Sequence, residues 1–511
     1  MKTMKYIALG VMAAGMTLAT TSCSDNFLEV ENPSGEPLEE YYTTDEHINE
    51  ALNAAYDPIH WADYGLGQYN ALNICAEIMG DNVWVGGATK TDMQHWHMLA
   101  NYEGNAENTL GTLWNVDYSG VKRCNDLLKY LGWAEQNLTA VNRASYEMQA
   151  RALRVYFYNN LWHYFGNVPF YLENLTAPYT APQLKADEVY DQLVQELEAV
   201  IDSKTLPMRW DDKNAGRMSQ AMCYMMYAEI VMYQNDKTRY PKALQYMQEI
   251  INDTNDYGLM DDFADIWKES GEWCKESIWE VNYEDGNAER DWGSPLAIGG
   301  TVLPTLISPD GWPGGDGWEK GQDGWGFMPI RQETQDMYAS NDKRREATVW
   351  DVKGVEYKPR YQDTHLWLAK YRPLSANSID CPTSRNLNYN NNLRVYRVAE
   401  AYLNAAELLL ATGGDATQAT KYVNAIRRRA GITELGSATL DDVINERHLE
   451  FVGEGKRYFD LVRSGKAATV LVPDSYGYRT KSWTPNKKYI PIAQAELDSD
   501  PALKQNEDYF K

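Results

Sequence analysis

The stretch INERHLEFVGEGKRYFDLVR, residues 444–463, decides how this chain is read. Glu446, Arg447, Glu450, Arg457, Asp460 and Arg463 run through it among apolar residues. Opposite charges at that density are expected to make ion pairs and hydrogen bonds that pin the last helices to the body of the protein. They read as framework and not as a catalytic pair. The glycine–lysine run GEGK (453–456) lacks the spacing of a phosphate loop.

Working outward, helical periodicity dominates. In Arg394–Gly413, Val398, Ala401, Ala405 and Leu408 or Leu409 fall on one face, and Ala416–Ala430 follows the Gly413-Gly414 break as its antiparallel partner. Nearer the start, Asp45–Trp61, Asn108–Trp133, Thr139–Phe165, Ala186–Ile201, Arg217–Gln234 and Tyr240–Asn252 read as helices. Met218, Ala221, Met225, Ala228 and Met232 are spaced by three or four, which predicts one apolar face with room for a close neighbour. Helix pairs with small residues at their crossings suggest degenerate tetratricopeptide-like repeats with a period near 34. The expected fold class is mostly α.

Residues 271–330 break the pattern. They hold Trp273, Trp279, Trp292, Trp312, Trp318 and Trp325, six of the 17 tryptophans, and 12 of the 36 glycines. So much glycine argues against regular helix, and long irregular segments of compact proteins are commonly functional surfaces. Trp279, in the alternating SIWEVNY, is expected in a buried strand.

The amino terminus carries Lys2 and Lys5, an apolar run from Tyr6 to Ala19, then Thr20-Thr21-Ser22-Cys23. The run is too short to span a bilayer, and the pattern reads as a secretory lipoprotein signal (1–22) with Cys23 as the lipidated residue. The position three before the cysteine is Thr where such signals usually carry Leu. Residues 23–43 would form a tether. Residues 44–511 would form one domain: a helical repeat part (about 44–255), a ligand-loop insertion (about 271–330) and a C-terminal part (about 331–511).

The net charge of −25 includes the two lysines of the signal, so the mature chain is more acidic still. Such a chain repels nucleic acid, and none is expected as a partner. Beyond Cys23, the cysteines Cys75, Cys124, Cys223, Cys274 and Cys381 are odd in number and lack CxxC spacing, which gives neither a zinc site nor a disulfide framework.

Together these segments resemble the SusD/RagB family, the cell-surface glycan-binding lipoproteins of Bacteroidetes-type bacteria. The likeness rests on RVAEAYLNAAELLLATGG (397–414), VNAIRRRAGI (423–432), INERHLEFVGEGKRYFDLVR (444–463), and YIPIAQAEL with QNEDY (489–497, 505–509). QARALRVYFYNNLWHYFGNVPF (149–170) and CSDNFLEVENP (23–33) extend it over nearly the whole chain. His448 stands where the family often has Arg. The resemblance implies a SusD-like helical body with a loop-built ligand surface and attachment to the outer membrane by the lipid. It also implies a place as a lid on a SusC-like TonB-dependent transporter that receives captured oligosaccharide.

An indole offers a flat apolar face whose quadrupole attracts the polarised C–H bonds of a pyranose, so tryptophans suit a polysaccharide. The candidate glycan-binding residues are Trp292, Trp312, Trp318 and Trp325, with Trp96 from TDMQHWHM (91–98) added on the family resemblance. Residues 271–330 carry 11 acids and three bases, which favours a neutral polysaccharide or oligosaccharide over an anionic one. No cofactor is expected. The same acids could hold Ca²⁺, although no EF-hand-like spacing supports it.

Two other classes remain. A secreted glycoside hydrolase needs only two carboxylates, but HExxH, GxSxG and other catalytic signatures are missing from the sequence. His95 and His97 read as histidines flanking a sugar platform and not as metal ligands. A surface protein for peptide or another non-sugar nutrient is compatible with the same aromatic loops.

Overall fold

Thr44, Thr139 and Ser219 each accept a hydrogen bond from the backbone N–H three residues on, at His47, Asn142 and Met222, which satisfies one of the free donors at a helix start. A computed structural model describes residues 35, 37–65, 67–313 and 324–511. The principal helices of its first half are α1 (Asp45–Tyr56), α2 (Leu72–Met79), α3 (Gly111–Trp133), α4 (Ala140–Phe165), α5 (Ala186–Asp202), α6 (Gln220–Gln234) and α7 (Tyr240–Asn252). From α3 onward each packs on the next, and the short links between α3 and α4 and between α6 and α7 make those pairs antiparallel. Gly120 in α3 admits the ring of Phe157 in α4: a Cβ there would lie 2.4 Å from that ring. Fold class is as the periodicity indicates, mostly helical with few strands.

Two boundaries and one helix face differ from the periodic reading. Pro58 lacks the N–H that would continue α1, so the segment ending at Trp61 splits and Pro58–Trp61 forms a separate turn. α6 has no single apolar face, because every residue from Gln220 to Tyr233 except Glu229 is buried. Sitting between α5 and α7, it is a central helix. The segment from Arg394 does not open a helix. Leu393–Arg397 is strand β2, paired antiparallel with β1 (Ser277–Val281), as the β-branched and aromatic residues of LRVYR favour. Trp279 sits in β1, 1% exposed.

The last third adds α8 (Val398–Ala411), α9 (Ala416–Ala430), α10 (Leu440–Glu450) and α11 (Arg457–Arg463). These close on a buried charge network. Arg344 pairs with Asp342 (2.8 Å), Glu446 (2.7 Å) and Glu450 (3.1 Å), while Arg397 reaches Glu276 (2.7 Å) and Glu454 (2.8 Å). Arg447 and Arg463 both bond Asp460, at 2.8 and 2.7 Å. Arg457 takes Asp81 of the first half at 2.8 Å. His448 lies against Asn82 at 2.5 Å.

Burial alone would raise the Asp460 carboxyl, but Arg447 and Arg463 outweigh it and hold the group at about 2. A folded value below the ordinary one means the stabilisation is complete above about pH 4 and is lost as pH falls through the folded value. Urea midpoints are therefore expected to drop between about pH 4 and about pH 2. Asp460→Asn should lower the midpoint at neutral pH and flatten that acid drop.

Candidate functional site

The site starts in HWADYGLGQYN (60–70), between α1 and α2. Gly65 and Gln68 exchange backbone hydrogen bonds at 3.1 Å, and Asn70 N–H donates to Ala62 O at 2.8 Å. That closed loop places Tyr64 and Tyr69 on either side of its turn, stacked with centroids 4.7 Å apart and planes 20° apart.

A second loop follows β1 and carries Trp292, 49% exposed. Its anchor is Arg290, 0% exposed. The guanidinium grips Asp63 bidentately, Nη2 to Oδ1 at 2.6 Å and Nη1 to Oδ2 at 3.2 Å. Its other donors go to Tyr64 O (2.6 Å), Pro295 O (2.9 Å) and Gly300 O (2.7 Å). Asp63 Oδ2 also accepts from Val302 N–H at 2.9 Å. One side chain thus ties the first loop to both ends of the second. Because the pair is fully formed, it places no net charge beneath the rings.

A third loop brings Trp325. Its N–H donates to Thr305 O at 2.8 Å, and Arg360 Nη1 donates to Trp325 O at 3.0 Å. Gly324 is needed beside it, since a Cβ there would meet Ser308 O at 2.2 Å.

The four rings form a closed circuit. Trp292 and Trp325 lie 5.8 Å apart with planes 30° apart. Trp292 meets Tyr64 edge-on at 5.7 Å, and Trp325 meets Tyr69 edge-on at 5.4 Å. Edge-to-face contacts let each ring hold the next in place. Burial, with Tyr64 beside it, pushes the Tyr69 phenol well above its ordinary range, so it remains a neutral donor and acceptor at any physiological pH. The result is an aromatic surface of four mutually braced rings, two of them carrying phenol hydroxyls.

The five tryptophans singled out from the sequence go to different places. Trp292 and Trp325 come together as described. Trp96 is 0% exposed, its ring edge-on to Phe327 at 5.1 Å, so in this structure it offers no face to a ligand. Trp312 is 7% exposed and belongs to a small separate core with Trp350, Val352 and Trp367, meeting Trp350 edge-on at 4.9 Å. Both are large apolar side chains that found partners inside. Trp318 and Cys23 lie outside the described residues. His95 is buried and pushed down to about 4 by that burial, with His97 contributing.

Tyr64, Tyr69 and Arg290 did not stand out from the sequence. The available signal was two aromatics spaced around Gly65 and Gly67 outside any helical period, as in the tryptophan-rich stretch. An arginine amid the acids of 271–330 was the other.

Among the described residues no group of three or more His, Cys, Asp or Glu is placed to hold a metal ion. A cavity of about 120 Å³ opens inside the helical body, lined by Tyr156, Asn159, His163, Tyr396 and Lys456. Its lysine is already taken by Glu400 at 3.1 Å. The aromatic circuit is elsewhere, on the surface.

Comparison with known proteins agrees with this architecture. The sequence model of the SusD family matches residues 275–509, and that described as "Starch-binding associating with outer membrane" matches 26–232. Surface glycan-binding protein A from Bacteroides uniformis is 62% identical, with 91% of this chain and 100% of that one covered and a TM-score of 0.85. The same-named protein from Bacteroides thetaiotaomicron, solved in complex with laminarihexaose, is 53% identical with coverage of 91% and 100% and a TM-score of 0.86. SusD-like protein P38 from Formosa agariphila is 25% identical, with the whole of both chains covered. With that identity over nine-tenths of its length and family matches at both ends, the chain belongs to the SusD/RagB family.

Proposed function

We propose that this protein captures a neutral glucan at the cell surface on the platform of Tyr64, Tyr69, Trp292 and Trp325, and that it binds without turnover. The observation that carries this is an indole left 49% exposed on a loop whose base is locked by a fully buried arginine. An indole held open to water on an anchored loop, within a group of four aromatic rings, suits a recognition surface. The open face of Trp292 suits the face of a sugar ring, and the phenol hydroxyls of Tyr64 and Tyr69 suit its rim. The relative in complex with laminarihexaose supports a laminari-type glucan as the ligand.

We further propose that Cys23 carries the lipid that holds the protein on the outer membrane, and that captured chains pass to a SusC-like TonB-dependent transporter. Tethering there would raise the effective concentration of glycan at the transporter mouth, so modest affinity per site suffices.

The test is affinity electrophoresis of the mature protein against neutral and anionic polysaccharides, with calorimetry on laminarihexaose. Retarded migration on a neutral glucan and saturable binding of the hexasaccharide, with its chain length unchanged afterwards, is the expected result. Shortened product would establish a hydrolase. Binding of peptides with no response to any glycan would overturn the sugar reading.

A further inference from the structure

A second group of aromatic rings lies on the surface away from the circuit just described. Tyr476 is 57% exposed, one of the few aromatic side chains left so open among the described residues. Tyr478 lies beside it, ring centroids 5.9 Å apart and planes 17° apart. Both stand edge-on to Trp84, at 5.8 and 5.1 Å. Trp84 is 6% exposed and is covered on its face by the Arg331 guanidinium at 4.1 Å. Tyr361 meets Tyr478 edge-on at 5.7 Å.

The loop bearing the tyrosines is built to hold them out. Asp474 accepts the N–H groups of Tyr476 (2.7 Å), Tyr478 (3.2 Å) and Arg479, and its own N–H donates to Arg479 O at 3.0 Å. Gly477 between the tyrosines has a φ of +75°, which lets the turn point both rings the same way. Arg479, 4% exposed, fastens the loop to Ala100 O and Gly80 O. Fixed exposed rings lose little entropy when a ligand stacks on them.

This second group is connected to the first through a short backbone pairing. Val83 bridges Ile330, Gly86 bridges Phe327, and Trp84 N–H donates to Pro329 O at 2.9 Å. Pro329 is only four residues from Trp325, a stretch that spans at most about 14 Å. Trp84 and Trp325 are thus joined by a short backbone path, and only a polymer of many sugar units would bridge the two groups of rings. Arg331 lies close enough to Asp474 for their opposite charges to offset one another.

We propose that Tyr476 and Tyr478, backed by Trp84, form a second contact for the same neutral glucan, engaged by long chains and not by short ones. This rests on the function proposed above. Each ring pair would bind weakly, and linking the two through one polymer would raise the affinity without new chemistry.

The test compares wild type with Tyr476→Ala/Tyr478→Ala on a laminari-oligosaccharide length series and on laminarin, using calorimetry and affinity electrophoresis. The variant should bind laminaritriose like wild type and lose about fivefold or more in affinity for laminarin. Unchanged laminarin binding, or one equal loss at every length, would overturn the second contact while leaving the first platform standing. If wild type binds no member of the series, the glucan reading itself fails and the second contact falls with it.

Discussion

Trp292→Ala is expected to weaken laminarihexaose binding by about thirtyfold or more, while thermal unfolding stays near that of wild type. Truncation of a central aromatic at a binding surface commonly costs about 2 kcal/mol or more. Half of this indole faces water, so its loss opens no deep cavity. Trp312→Ala should do the reverse. That side chain fills a small core with Trp350 and Trp367, and replacing a buried tryptophan by alanine costs about 3–5 kcal/mol of stability. Calorimetry and a melting curve on the two variants separate the roles. Strong hexasaccharide binding by Trp292→Ala would remove the platform from the account.

The second large effect belongs to Arg290→Ala. Removing one member of a buried, hydrogen-bonded ion pair leaves Asp63 charged and unpaired at 3% exposure, and such truncations cost about 3–5 kcal/mol. Tyr64 O, Pro295 O and Gly300 O lose their donor at the same time. Denaturant midpoints should show the loss, and glucan binding should fall with it because both platform loops share this anchor. Joining Arg290→Met to Asp63→Leu removes both charges, so the double variant should recover much of the stability lost by either single change. A double variant no more stable than the singles would mean that the carbonyl contacts, not the charge pair, set the energy.

Much of the framework could be read from the sequence, because periodicity and capping are local. Gly413-Gly414 ends α8, and the charges of 444–463 are paired inside the molecule. Arg394–Arg397 reads as the start of a helix because a short strand adjoining a helix continues its apolar residues. The platform was half legible. Tryptophan in a glycine-rich stretch pointed to Trp292 and Trp325, but nothing local distinguishes them from Trp312, whose burial depends on Trp350 and Trp367 far along the chain. Tyr64 and Tyr69 gain meaning only when a loop more than two hundred residues later folds over them.

That last point bears on when the protein becomes competent. Asp63 and Arg290 are 227 positions apart, and their pairing joins the two loops across that span. Closing so long a loop carries an entropic cost that forming the local helices does not. The platform therefore exists only where residues from both ends of that span have come together, and neither loop alone holds all four rings. Glucan binding, on the function proposed above, would thus report that two segments so far apart in the chain have been brought together.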